Sequence, residues 1–156
     1  MLLTLKTRLD CTAERCFDEV QTPRLLMHIA QPLVHFTPIT PPQLPARWEA
    51  REYEVAMHLL SCIPLGRQMV RISGQDHSQR DGHFSVELRD NGSGTLISRW
   101  DHRIFIQAAD QGCDYTDQVD IQAGWLTPLV WLFAWGFYKH RQRRWQQLVR
   151  RSFSYA

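Results

Sequence analysis

The chain has 156 residues, 44% of them hydrophobic and 22% charged, values that exclude disordered, collagen-like or low-complexity material. A chain of this length buries roughly 70% of the surface it exposes when unfolded, so residues 1–156 are read as a single self-sufficient domain. The formal net charge of +2 argues against nucleic acid as a partner, yet the charge is unevenly spread. All 16 acidic residues lie at or before Asp120, whereas six basic residues and no acid occupy the stretch between Lys139 and Arg151.

Leu3, Leu5, Thr7 and Leu9 alternate with polar neighbours and predict a half-buried strand over 3–9. Thr12 is placed to cap a helix over 13–20, and Pro23 suits the first turn of a second helix over 23–29. Five prolines between residues 30 and 45 predict an ordered, extended loop. Strand patterns follow over 47–63, 67–74, 83–89, 96–107 and 113–123. Pro64-Leu65-Gly66 and Asp90-Asn91-Gly92-Ser93-Gly94 are the expected turns between them. Thr127 as N-cap and Pro128 at the first helical position begin a helix expected to reach Arg150, ~35 Å long at 1.5 Å per residue.

Cys11, Cys16, Cys62 and Cys113 form no CxxC pair and are too sparse for a disulfide scaffold, which indicates reduced thiols and a cytoplasmic protein. The most apolar stretch, 124–138, falls short of the ~20 residues of a spanning helix and contains Pro128 and Gly136. No histidine pair stands at HxxxH or HExxH spacing and no Gly-rich phosphate loop is present, so neither a metal nor a cofactor is expected.

Strand, two short helices, proline loop, five-strand meander and long C-terminal helix make the layout of a helix-grip domain. Trp100-Asp101-His102, Tyr115-Thr116-Asp117-Gln118-Val119 and Phe137-Tyr138-Lys139-His140-Arg141 add local signatures, and with them nearly the whole chain resembles the START-like SRPBCC superfamily. That superfamily includes polyketide cyclase and aromatase domains, coenzyme-Q-binding proteins and plant pathogenesis-related proteins. The resemblance implies an α+β, START/Bet v 1-like fold. A curved antiparallel sheet of about six strands would wrap the C-terminal helix and enclose an apolar cavity for a lipid or other hydrophobic small molecule.

Alternation suggests which side chains face that cavity. Trp100, His102 and Ile104 share one face of their strand, and Tyr115, Asp117 and Val119 share one face of the next. His102 and Asp117 then lie opposite or one diagonal step apart, where a carboxylate could orient an imidazole for proton transfer. Tyr53, Val55, Met57, Phe84 and Val86 are candidate wall residues from the middle strands, and Phe133 and Phe137 from the helix. Trp131, Trp135 and Tyr138 fall at i, i+4 and i+7 on another side of the helix, a ridge suited to a homodimer partner or a membrane surface.

Three functions follow as expectations. The first is non-enzymatic binding of a hydrophobic small molecule or lipid in the cavity. The second is a polyketide cyclase- or dehydratase-like enzyme using His102 and Asp117 as acid/base pair. The third is a macromolecular interaction module using the basic end of the C-terminal helix, with Arg141, Arg143 and Arg144 as contacts.

Overall fold

The computed structural model describes residues 1–80 and 83–156. Alternating leucines form β1 (Leu2–Leu9). Thr12 then opens α1 (Ala13–Val20), its hydroxyl oxygen accepting from the Arg15 amide at 3.2 Å. Thr22 opens α2 (Pro23–Ala30) in the same way, accepting from the Leu25 amide at 3.3 Å with Pro23 in the first turn. Each cap satisfies one of the amides that a helix start leaves open.

The proline-rich stretch expected to be loop contains a strand, β2 (Val34–Thr40), paired antiparallel with β3 (Glu52–Leu59). β2 is an edge of the sheet, so one row of its amides lies outside the ladder; Pro38 therefore pairs opposite Val55, with a register shift beside it. The sheet has seven strands for this reason, one more than the count expected from alternation.

β4 (Ile63–Arg80), β5 (His83–Gly94), β6 (Arg99–Ala108) and β7 (Cys113–Gln122) complete an antiparallel sheet of order β1-β7-β6-β5-β4-β3-β2. Both expected turns fall elsewhere. The β3–β4 connection is at Leu60 and Ser61, both at positive φ, while Pro64 belongs to β4 and Gly66 lies at a register shift opposite Met57. Asp90 to Gly94 continue β5, paired to β4 on one side and, through Gly92, to β6 on the other. Gly92 serves close strand approach: a Cβ there would stand 2.5 Å from the Met69 carbonyl oxygen. The chain turns after Gly94, whose amide donates to the Ile97 carbonyl at 2.8 Å.

A short 3-10 turn (Gly124–Leu126) leads into α3 (Thr127–Arg150). Thr127 does not cap α3, as expected from sequence, but is already helical. Its hydroxyl donates to the Gly124 carbonyl at 2.7 Å and accepts from the Ala123 amide at 2.9 Å, tying the helix start to the end of the sheet. The face of α3 turned inward carries Ala134, Phe137, Tyr138, Arg141, Gln142, Trp145, Leu148 and Val149, spaced at three and four residues.

Two apolar clusters fill the space under the helix. One gathers Leu9, Cys16, Ile106, Tyr115 and Trp145; the other gathers Val34, Tyr53, Trp100, Val119 and Phe137. Along α3, Arg141 and Gln142 fall between the residues serving one cluster and those serving the other. Cys11, Cys16, Cys62 and Cys113 are free thiols. Among the described residues no helix is long and apolar enough to cross a membrane.

Candidate functional site

Between sheet and α3 lies a cavity of about 570 Å³, a volume that suits a small organic ligand. α2 contributes Leu25 and Ile29 to its wall, the sheet contributes Met57, Val70, Ile72, Trp100 and Ile104, and α3 contributes Val130, Phe133 and Phe137. Its rim includes Leu96, Leu129 and Leu132, all exposed. The first turns of α3 thus leave apolar side chains uncovered where the cavity opens.

The candidate residues separate into wall and core. Met57, Trp100, His102, Ile104, Tyr115, Phe133 and Phe137 line the cavity. Tyr53, Val55, Val86 and Val119 are buried in the packed core instead. Tyr53, for example, packs edge-on against Trp48 and accepts a hydrogen bond at its hydroxyl from the Glu49 amide at 3.0 Å. Phe84 lies against Phe17 of α1, with ring centroids 6.0 Å apart.

Asp117 sits just behind the wall as the hub of a buried polar cluster. Its register partner on β6 is Ile104, so His102 is the diagonal neighbour. His102 Nε2 donates to Asp117 Oδ1 at 2.8 Å and the Tyr115 hydroxyl donates to the same oxygen at 3.1 Å. Gln142 Nε2 donates to Oδ2 at 2.9 Å and also to the Leu5 carbonyl of β1 at 3.0 Å. Burial works to raise the Asp117 pKa, but the hydrogen bond and charge interaction with His102, helped by Arg141 and Gln142, hold it below the usual carboxylate range. Burial lowers the His102 pKa despite that carboxylate, which favours the neutral imidazole near neutral pH, with the Nε2 proton directed at Asp117. Nδ1 is then the basic nitrogen, and it has no hydrogen-bond partner among the described residues.

Tyr138 belongs to this cluster and not to an outer aromatic ridge. It is 1% exposed, accepts a hydrogen bond from Trp100 Nε1 at 3.3 Å, and packs against His102 with ring centroids 5.0 Å apart. Of the other two residues expected on that ridge, Trp131 is half-buried and donates from Nε1 to the Leu2 carbonyl at 3.1 Å. Trp135 stays exposed, with the Lys139 ammonium 4.2 Å from its ring centre.

Two charged wall residues escaped the sequence reading. Asp90, expected in a turn, faces the cavity from β5 and accepts from the Arg71 amide at 2.8 Å. Burial pushes its pKa up to about 7 against the opposing pull of the Arg71 amide and Arg141. Arg141, grouped by sequence with the basic helix end, points inward and is 7% exposed. Its guanidinium carbon lies 4.8 Å from the Tyr138 ring centre and 5.7 Å from that of Phe137. The i, i+3, i+4 phase through Phe137, Tyr138, Gln142 and Trp145 was the signal that could have placed it there.

A seven-stranded antiparallel sheet gripping a long C-terminal helix around an apolar cavity defines a helix-grip protein of START/Bet v 1-like fold. The chain is similar over 95% of its length to 96% of protein CV1439 from Chromobacterium violaceum, with TM-score 0.69 and 12% identity. A START superfamily protein from Mycobacterium smegmatis matches 96% of this chain over 97% of its own, with TM-score 0.60 and 11% identity. Truncated norcoclaurine synthase from Thalictrum flavum matches 96% of this chain over 92% of its own, with TM-score 0.61 and 9% identity. No family model and no curated protein matches the sequence.

Proposed function

We propose that the protein binds a hydrophobic small molecule or lipid in the cavity between the sheet and α3. The observation that carries this reading is the cavity itself: about 570 Å³ lined mainly by apolar side chains from three layers of the fold, with exposed leucines at its rim. Apolar area held open inside a fold forgoes packing that a filled core would have, roughly 25 cal/mol for each Å² left unburied. An occupant restores it. The resemblance and the fold neighbours support the same reading, since START-like cavities commonly hold hydrophobic ligands.

The test is saturable binding of a neutral apolar dye such as Nile red, in the wild type and in two variants that fill the cavity from opposite walls, Ile72→Trp and Val130→Trp. Stoichiometric binding that both variants abolish while remaining folded supports an internal site. Dye binding indifferent to both variants places the dye on the surface and sinks the reading.

A second reading, proton transfer at His102, is favoured by one observation: a neutral imidazole on the cavity wall, oriented by the Asp117 carboxylate, with Nδ1 unengaged by any described residue. It requires a cyclase- or dehydratase-type turnover that collapses in both His102→Ala and Asp117→Asn while the cavity still binds apolar dye. Turnover surviving in His102→Ala excludes it.

A further inference from the structure

The wall of the cavity holds a cation that no carboxylate among the described residues contacts by hydrogen bond or ion pair, although Asp117 and Asp90 are near enough to feel its charge. Arg67 and Arg89 also border the space, but each is paired: Arg67 with Glu54 at 3.1 Å and Arg89 with Asp101 at 2.9 Å through Nε and Nη2 alike. Arg141 has no hydrogen bond and no ion pair among the described residues, and its Nε is buried without a partner. The nearest carboxylate of the polar cluster is already committed, because Asp117 receives His102 and Tyr115 on one oxygen and Gln142 on the other. Its guanidinium lies instead over the rings of Tyr138 and Phe137.

A guanidinium cannot shed its proton, and an ionised group buried without a partner is costly. Retaining one on the wall of an apolar chamber makes sense if the compensating charge arrives with the ligand. A guanidinium fork matches the two oxygens of a carboxylate. One cation balances one negative charge, whereas a phosphate monoester near neutral pH carries about −1.5 to −2 and would leave uncompensated charge in the cavity. Asp90, on the same wall, retains a proton to about neutrality and would tolerate an incoming anion better than an ionised carboxylate would.

We infer that the occupant of the cavity is an amphipathic anion, an apolar body bearing a single carboxylate that seats on Arg141. The inference rests on the cavity-binding reading above and specifies its ligand class.

Dodecanoic acid, dodecanol and dodecyl phosphate serve as matched probes, titrated calorimetrically at pH 6, where Asp90 keeps its proton, into wild type, Arg141→Gln and Arg141→Lys. Hydrogen bonds to a charged group predict that wild type binds the acid at least about tenfold more tightly than the alcohol. Arg141→Gln should reduce that ratio to within about twofold with alcohol binding unchanged, and Arg141→Lys should restore part of it. Should Arg141→Gln fail to fold, the wild-type comparison alone decides. Equal binding of acid and alcohol to the wild type overturns the anion site and leaves cavity binding standing. Tighter binding of the phosphate than of the acid overturns the carboxylate assignment. Binding of none of the three removes the cavity reading, and the inference with it.

Discussion

Replacing Asp117 by alanine should be among the most damaging single changes in the protein. The carboxylate, 1% exposed, receives three donors: His102 Nε2 at 2.8 Å, the Tyr115 hydroxyl at 3.1 Å and Gln142 Nε2 at 2.9 Å. Gln142 keeps its bond to the Leu5 carbonyl, but His102 and Tyr115 lose the acceptor their protons point at. Each buried donor left open costs about 1–3 kcal/mol, and breaking a buried charged network as a whole costs ~3–5 kcal/mol. Taking about 4 kcal/mol and about 2–4 °C per kcal/mol for a chain of this size, Asp117→Ala should melt some 8–16 °C below wild type by differential scanning calorimetry. Asp117→Asn, which keeps one acceptor, should fall between the two. The pH dependence has a definite sign. A carboxyl held below its unfolded pKa stabilises the fold above the unfolded value, about 3.9, and that contribution is lost as pH falls toward the folded value. Wild type should therefore lose its margin over Asp117→Ala in acid. A melting temperature for Asp117→Ala within about 2 °C of wild type at pH 7 would refute the claim that this carboxylate organises the site.

Asp90 should behave in the opposite sense: its pKa is raised to about 7, so it is protonated in the fold and ionised in the unfolded chain between about pH 4 and 7, and stability declines over that window. Asp90→Asn, which keeps an acceptor for the Arg71 amide, should match wild type near pH 4 and exceed it by about 2 kcal/mol at pH 8 in urea titrations, a figure discounted for partial exposure; a constant difference across pH would contradict this. Arg141→Met removes a buried guanidinium that has no ion pair, so the ligand-free protein should keep its stability or gain up to about 2 kcal/mol. A loss above about 1 kcal/mol in the same urea assay would assign Arg141 to the architecture and not to the ligand. Gly92→Ala forces a Cβ to within 2.5 Å of the Met69 carbonyl and should cost ~1–3 kcal/mol, visible as a lower urea midpoint at unchanged slope.

What could be read from the sequence depended on whether a local pattern had a competing use. The cap at Thr12 was legible from a hydroxyl standing just before a helical stretch, whereas the same signal at Thr127 misled because the chain is already helical there. Strand parity was legible on β6 and β7, where two-residue alternation put His102 and Asp117 on one face and the register brought them into contact. β2 was hidden by its prolines, which an edge strand tolerates and a central one does not. Gly92 and Gly94 resembled a turn because glycine signals both positive φ and close approach, and only the second applies here. On α3 the aromatic residues outnumber the positions of one stripe. Phasing on Phe133 and Phe137 sent Tyr138 outward and left Arg141 with the basic end, whereas the buried face runs through both. A charged residue on an inward face departs from the amphipathic pattern, a departure expected at functional or strained sites. The wall charges that went unread, Asp90 and Arg141, lay in a stretch taken for a turn and a stretch taken for a basic helix end.

The central claim is that the cavity holds a hydrophobic ligand, and native mass spectrometry of freshly purified protein, followed by organic extraction, tests it most directly. The account predicts a stoichiometric adduct that extracts as an amphipathic acid and disappears from Ile72→Trp. Protein that is uniformly unliganded, and whose melting temperature no apolar acid, alcohol or ester raises, would contradict it.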